Sequence, residues 1–201
     1  MIKNYIFDFG NVLAEFEPEK LTAPFVSDEK TRGYLSEIIF DRIYWDRLDD
    51  GTITDGEIKA GISSRVPAEL VDTACKVYDN WVNSLTPVKG MAELVSDLRK
   101  GNNKLFLLSN ISVGFADTYN NVDWIRELLK GFDGLVLSGP IGITKPSADI
   151  FNHLLEKYGL NADECLFIDD SLKNIEGAKA CGIHGYLFDG DAYKLRAFVG
   201  V

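Results

Sequence analysis

The sequence predicts an α/β protein: a core with a parallel sheet covered by helices on both faces, and a small all-helical cap inserted after the first strand. Three observations predict it. Short apolar runs alternate with segments of helical periodicity along most of the chain. One long stretch, 14–85, breaks that alternation, with helical spacing and no convincing strand. Several apolar runs stop abruptly at Asp, Ser or a pair of Asp, as strands do where a ligand crevice opens at the carboxyl edge of a sheet. The expected division is a core of residues 1–13 and 86–201 and a cap of residues 14–85.

Lys3 to Asp8 reads as the first strand, and Gly10-Asn11 turns the chain at once. Ser27-Asp28-Glu29 starts a helix carrying Tyr34, Leu35, Ile38 and Ile39. Asp49-Asp50-Gly51 reads as a turn. Thr54 and Glu57 form a capping box ahead of a helix through Ile58 and Ile62. A further helix spans about 68–83, with Leu70, Ala74, Val77, Tyr78 and Trp81 on one face. Thr86-Pro87 reads as the start of the next helix, which ends at Gly101. Strands are expected at 104–108, 135–137, 165–168 and 183–188, with helices at 122–129, 148–158 and 171–180 and a last one ending near Phe198. Ser112 to Asn121 is ambiguous, and Ser138-Gly139-Pro140 reads as a break.

Composition narrows the function. Hydrophobic residues at 46% and charged residues at 26% are ordinary for a globular protein. A net charge of −10, with no basic stripe, argues against a nucleic-acid or anionic-membrane partner. Cys75, Cys165 and Cys181 are scattered in apolar surroundings and read as reduced thiols. Met-Ile-Lys-Asn runs straight into the first strand and no apolar run approaches a bilayer span, so a cytoplasmic location is expected. His153 and His184 lack partners at metal-ligand spacing. Tyr44, Trp45 and Trp81 read as core aromatics more than as a sugar-stacking surface. Asn110-Ile111-Ser112 fits a glycosylation sequon, but nothing suggests secretion.

Four signals sit at strand ends or before helices: Asp8, Ser109-Asn110, Lys145 and Asp169-Asp170. Singly, each is an ordinary turn, cap or loop residue. In a parallel sheet, however, they share one crevice. Three carboxylates there repel unless a cation sits among them, and Mg2+ prefers oxygen ligands beside substrate phosphates. Ser109 and Lys145 offer a hydroxyl and a positive charge to phosphoryl oxygens. Asp8 is then placed to attack phosphorus in line.

The set resembles the haloacid dehalogenase superfamily, most of whose members are phosphohydrolases. The resemblance rests on Phe7-Asp8-Phe9-Gly10-Asn11, Leu105-Phe106-Leu107-Leu108-Ser109-Asn110, Lys145-Pro146 and Phe167-Ile168-Asp169-Asp170, in that order. It implies a Rossmannoid core with a helical cap inserted after the first motif, and Asp8 as nucleophile. It also implies Mg2+ held by Asp8, the Gly10 carbonyl and Asp170, with Asp169 beside it. Phosphate would be held by Ser109 and Lys145, with backbone help from Asn11 and Asn110. The chain departs from the family at Gly10, where most of its phosphatases carry an aspartate as general acid and base. The Asp-Phe-Gly-Asn-Val form and the stretch 44–58 resemble a subgroup that includes a bacterial α-glucose-1-phosphate phosphatase. Either Glu15 or Glu17 replaces the missing acid, or the substrate has an acidic leaving group, as a sugar 1-phosphate does.

The leading expectation is therefore an Mg2+-dependent phosphatase of a small phosphorylated metabolite such as a sugar phosphate. The alternatives are a haloacid dehalogenase, or a non-catalytic phosphate-binding or phospho-acceptor protein. Oligomeric state is not encoded in any motif.

Overall fold

The computed structural model describes residues 1–201. The chain enters through β1 (Asn4–Phe7) and a two-residue strand, β2 (Ala14–Glu15). Five helices follow: α1 (Pro18–Thr22), α2 (Glu29–Ile39), α3 (Arg42–Asp49), α4 (Asp55–Arg65) and α5 (Val71–Asn80). The chain returns through β3 (Thr86–Pro87) to α6 (Met91–Lys100), β4 (Lys104–Ser109), α7 (Val113–Thr118), α8 (Asp123–Leu129) and β5 (Gly134–Leu137). A single turn, α9 (Ser138–Ile141), precedes α10 (Ala148–Tyr158), β6 (Cys165–Asp169), α11 (Leu172–Ala180), β7 (His184–Leu187) and α12 (Ala192–Val199).

The main sheet has the order β5-β4-β1-β6-β7, with every neighbouring pair parallel. β1 lies at the centre. The chain steps from it to β4 on one side and later to β6 on the other, so the strand order reverses there and a crevice opens at its carboxyl end. Register pairs Phe7 with Leu107 and with Ile168. Asp8 is thereby level with Asp169 and one residue short of Ser109.

Alternate strand residues feed two cores, as the period of two requires. Phe7, Leu105, Leu107, Leu166 and Ile168 face a cluster that continues into the helical segment through Leu35, Ile39, Ile58 and Ile62. Ile6, Phe106, Leu108 and Phe167 face the other way, onto Ile150, Phe151 and Leu154 of α10 and Ile175 of α11. Burial on both faces explains why the strands read as continuous apolar runs. In the helical segment α2, α3 and α4 start with side-chain caps. Asp28 accepts from the Thr31 N–H at 2.8 Å, and Thr54 and Glu57 complete their capping box. No helix is long and apolar enough to cross a membrane.

Three local expectations fail. Thr86-Pro87 does not open a helix. It pairs antiparallel with Ala14–Glu15, because the two crossings between sheet and helical segment run side by side. The helix starts later, at Met91, after Gly90 at φ +86°. For the same reason the stretch 14–85 does hold one strand residue pair, at its very start. Ser138-Gly139-Pro140, read as a break, winds into α9. The ambiguous 112–121 is helical, with Ser112 capping α7 by accepting from the Phe115 N–H.

Candidate active site

Asp8 sits immediately past β1, anchored by its N–H to the Ile168 carbonyl at 2.9 Å. Its Oδ1 accepts from the Phe9 N–H at 2.7 Å. Asp169 ends β6 and is fully buried. Between them lies the Lys145 ammonium, 2.7 Å from Asp8 Oδ1 and 2.7 Å from Asp169 Oδ2, with the lysine side chain 1% exposed. Asn110 holds Lys145 there from the backbone. Its Nδ2 donates to the Lys145 carbonyl at 2.9 Å, and its Oδ1 accepts from the Lys145 N–H at 2.7 Å. The residue after β4 thus fixes the loop before α10.

Asp169 is saturated with donors. Besides Lys145, it accepts from the Ser171 N–H at 2.7 Å and, on both oxygens, from Asn174 Nδ2 at 3.0 Å. Asn174 lies one turn into α11, and its role at the site went unread in the sequence. Asp170 is exposed and accepts from Asn11 Nδ2 at 3.1 Å. Asn11 reaches it from a left-handed backbone, φ 55°, a conformation asparagine tolerates better than most residues. The Ser109 hydroxyl is buried and has only a 3.5 Å contact, to the Asn110 carbonyl, leaving it free to donate into the crevice.

Burial pushes the Asp8 carboxyl up to about 7; Lys145 opposes the rise and Asp169 adds to it. Burial works against the Lys145 ammonium, but Asp8 and Asp169 outweigh it and hold that group above its ordinary range. Asp8, Asp169 and Asp170 offer carboxylate oxygens within 4.8 Å of one another. Three carboxylates against one lysine leave a two-charge deficit, and all the donors are hard oxygens. That donor set fits a divalent cation of the oxygen-seeking kind.

The structure therefore gathers Asp8, Gly10, Asn11, Ser109, Asn110, Lys145 and Asp170 on one cleft of about 760 Å³, with Asp169 behind it. One expectation needs correcting. The Asn11 N–H is spent on the Ala14 carbonyl at 2.7 Å, so its backbone has no donor left for phosphate. The Asn110 N–H has no such acceptor in the protein. Glu15 and Glu17 do not line the cleft; both pair with Lys20, at 3.0 and 2.7 Å. Trp45 and Trp81 are core residues, 8% and 6% exposed, whose edges reach the cleft wall. Tyr44, His153 and His184 stay out of it.

Asp49, at the end of α3, is the other residue the sequence concealed. Read as part of a turn, it lines the cleft with Asp8. Burial pushes its carboxyl up to about 7, with the charges of Asp46 and Asp8 adding to the rise. Nothing in the local pattern distinguishes it from Asp50 beside it.

Residues 2–182 match the family model of the haloacid dehalogenase-like hydrolases. The chain is 26% identical over 201 residues to the sesquiterpene phosphatase AstK of Aspergillus oryzae, covering 98% of this chain and 97% of that one. It is 26% identical to a D-ribitol-5-phosphate phosphatase of Bacteroides thetaiotaomicron, over 92% and 91% of the two chains. A HAD family enzyme of Bacteroides thetaiotaomicron, solved in complex with magnesium and inorganic phosphate, superposes with a TM-score of 0.71 at 26% identity, covering 97% of this chain and 99% of that one.

Proposed function

The chain belongs to the haloacid dehalogenase-like hydrolase family, and on that premise we propose that it is an Mg2+-dependent phosphatase that moves the phosphoryl group of a small phosphorylated metabolite onto Asp8 and then to water. The observation that carries this reading is the buried Lys145 bridging Asp8 and Asp169 at 2.7 Å, beside a third carboxylate, at the centre of a parallel sheet edge.

Asp8 attacks phosphorus in line with the ester oxygen, forming an aspartyl-phosphate as the P–O bond to the leaving group breaks. Ser109 Oγ–H and the Asn110 N–H donate to the phosphoryl oxygens. Lys145 stabilises the charge gathering on them while being held by Asp169. Water then attacks the phosphorus of the aspartyl-phosphate, inorganic phosphate departs and the Asp8 carboxylate returns. Asp8, Asp170 and the Gly10 carbonyl would hold Mg2+, with Asp169 aligning Lys145 behind them. The ion, when bound, supplies positive charge that lets two anions meet.

The substrate we favour is a sugar or polyol phosphate. Aromatic side chains of Phe16, Trp45 and Trp81 and polar groups from Arg42 and Asp46 share the cleft, a combination suited to a polyol's carbon skeleton and hydroxyls. The helices of residues 14–85 act in this reading as the cap that carries specificity.

The test is a panel of phosphate esters, including sugar, polyol and terpenoid phosphates, assayed with Mg2+ and with chelator. Turnover of at least one class that disappears with chelator is expected. A non-catalytic phosphate-binding or phospho-acceptor protein would bind phosphate without turnover of any ester, which the same panel reads. The dehalogenase reading requires no ester turnover and hydrolysis of a 2-haloacid that ignores chelator, so a 2-haloacid is included beside the panel.

A further inference from the structure

We propose that Asp49 delivers the proton to the leaving group in the first transfer and takes a proton from water in the second, filling the role for which Gly10 has no side chain. The inference deepens the phosphatase reading and rests on it.

The chemistry leaves a gap. An alkoxide expelled by Asp8 needs a proton, and Gly10 cannot give one. Packing does not enforce that gap: a Cβ on Gly10 would meet only Phe16 Cβ, at 3.9 Å. The two nearby glutamates are turned outward onto Lys20. Of the carboxyl groups on the cleft, Asp8 is the nucleophile, Asp170 is tied to Asn11, and Asp46 is exposed and paired with Arg42 at 3.2 Å. Asp49 alone is half-buried there with no hydrogen-bond or ion-pair partner for its carboxyl group.

Its backbone is fixed to the catalytic edge. The Ile111 N–H, two residues past Ser109, donates to Ser138 Oγ at 2.8 Å, and Ser138 Oγ donates to the Asp49 carbonyl at 2.5 Å. Gly51, at φ +71°, lies so close that a Cβ there would sit 2.5 Å from the Gly139 carbonyl oxygen. The end of α3 is thus bound, through Ser138, to the same loop that presents Ser109 and Asn110, which fixes the backbone of Asp49 beside the catalytic edge.

Four charged groups act on it: Asp46 and Arg42 from its own helix, Asp8 from the end of β1, and Lys145 from the loop before α10. Burial and the two carboxylates outweigh the two cations, so the group stays largely protonated until about pH 7. It can both give and regain a proton near neutrality.

The steps balance. As Asp8 Oδ bonds to phosphorus and the ester P–O bond breaks, the Asp49 carboxyl proton passes to the leaving oxygen, releasing a neutral alcohol. The Asp49 carboxylate then takes a proton from the attacking water while the Asp8–phosphorus bond breaks. Phosphate leaves and Asp49 is again protonated. With this acid present, leaving-group acidity no longer needs to single out a sugar 1-phosphate.

The experiment compares wild type with Asp49→Asn on a primary alkyl phosphate and on 4-nitrophenyl phosphate, whose leaving group needs no proton. Single-turnover release is followed, so that only the first transfer is read. Asp49→Asn should lose about 10²–10⁴-fold on the alkyl ester, and less than about threefold in the nitrophenolate burst. Gly10→Asp introduced into Asp49→Asn should recover alkyl-ester turnover by at least tenfold. An unchanged melting temperature and retained inorganic phosphate binding by Asp49→Asn show that the fold and site persist. An equal loss on both esters, or none on either, overturns the role of Asp49 while leaving the phosphatase reading intact. A wild type that turns over no ester in Mg2+ overturns both.

Discussion

Asp169, fully buried on the sheet edge, and Asp49, half-buried on the helical segment, are treated in opposite ways. Asp169 receives hydrogen bonds from Lys145, Ser171 and Asn174 on both oxygens. Asp49 receives none, and its carboxyl is pushed up to about 7. A buried carboxylate that is fully paired behaves as scaffold: it fixes a lysine in place. One that is buried and unpaired is easier to protonate, which suits a group that must exchange protons. The parallel sheet therefore supplies charge at fixed positions, and the inserted helices supply a movable proton.

The largest effect that would break this contrast lies on the sheet side. Asp8→Asn should lower turnover by about 10⁴–10⁶-fold, as loss of a nucleophile does, while circular dichroism and the melting curve show an intact fold. A purified, folded variant with near-normal activity would end the mechanism.

Lys145→Ala comes next. Loss of a preorganised charge should cost about 2–4 kcal/mol of transition-state stabilisation, read from kcat/KM. The folded state should also weaken, because Asp8 and Asp169 lose their shared cation. A loss of less than about threefold in rate would make Lys145 an ordinary loop residue.

On the helical side, Gly51→Ala should destabilise by about 1–3 kcal/mol in urea titrations, since it adds both a strained positive φ and a clash with Gly139. Alkyl phosphates should suffer more than aryl phosphates if the docked loop positions Asp49.

Asp49→Asn sharpens the contrast through stability rather than rate. Its folded value of about 7 lies above the ordinary carboxyl value of about 3.9. The folded wild type therefore holds the proton more tightly than the unfolded chain. The contribution of this group to stability is full below about pH 4 and declines as pH rises to about 7. Relative to wild type, Asp49→Asn should gain on the order of 1–3 kcal/mol across that window, allowing for water that reaches the half-buried group. Chemical denaturation at pH 4 and pH 8 measures it. Asp169→Asn should show no such gain, because it discards an ion pair.

The smallest expectation is a null one. Glu15→Gln and Glu17→Gln should each leave kcat within about twofold, since neither side chain lines the cleft. A large loss at either would mean that these glutamates leave Lys20 during turnover.

Most of the sheet edge was legible in the sequence because its signals are local. An apolar run that ends in Asp8, Ser109 or Asp169 declares both the strand and its carboxyl end. Asp170 followed from the same pattern, whereas Lys145 stood out by its place before a helix and by the family resemblance. What escaped depends on contacts between distant segments. Pairing of Thr86-Pro87 with Ala14–Glu15 is a meeting of two crossings, and helix-capping chemistry at Thr86 pointed the wrong way. Asn11 has its N–H consumed by Ala14, which no spacing rule reveals. Asn174 acquires its partner only when α11 docks beside β6. Asp49 lay in plain view in an acidic turn, but its isolation from donors is a property of the folded cleft alone.

The hydrogen-bonded path from Ile111 through Ser138 to the Asp49 carbonyl also bears on how such chains diversify. It ties only the end of α3 to the sheet edge, and its one helical-side atom is a main-chain carbonyl oxygen. The outer faces of α1, α2, α4 and α5 take no part in it. Substitutions at Phe16, Phe40 and Trp81, which line the cleft outside α3, are free to reshape what it admits while the proton source keeps its place. An ancestral chain with this tether could have drifted from one phosphorylated metabolite to another without rebuilding its chemistry, provided that Ser138 and Gly51 were kept.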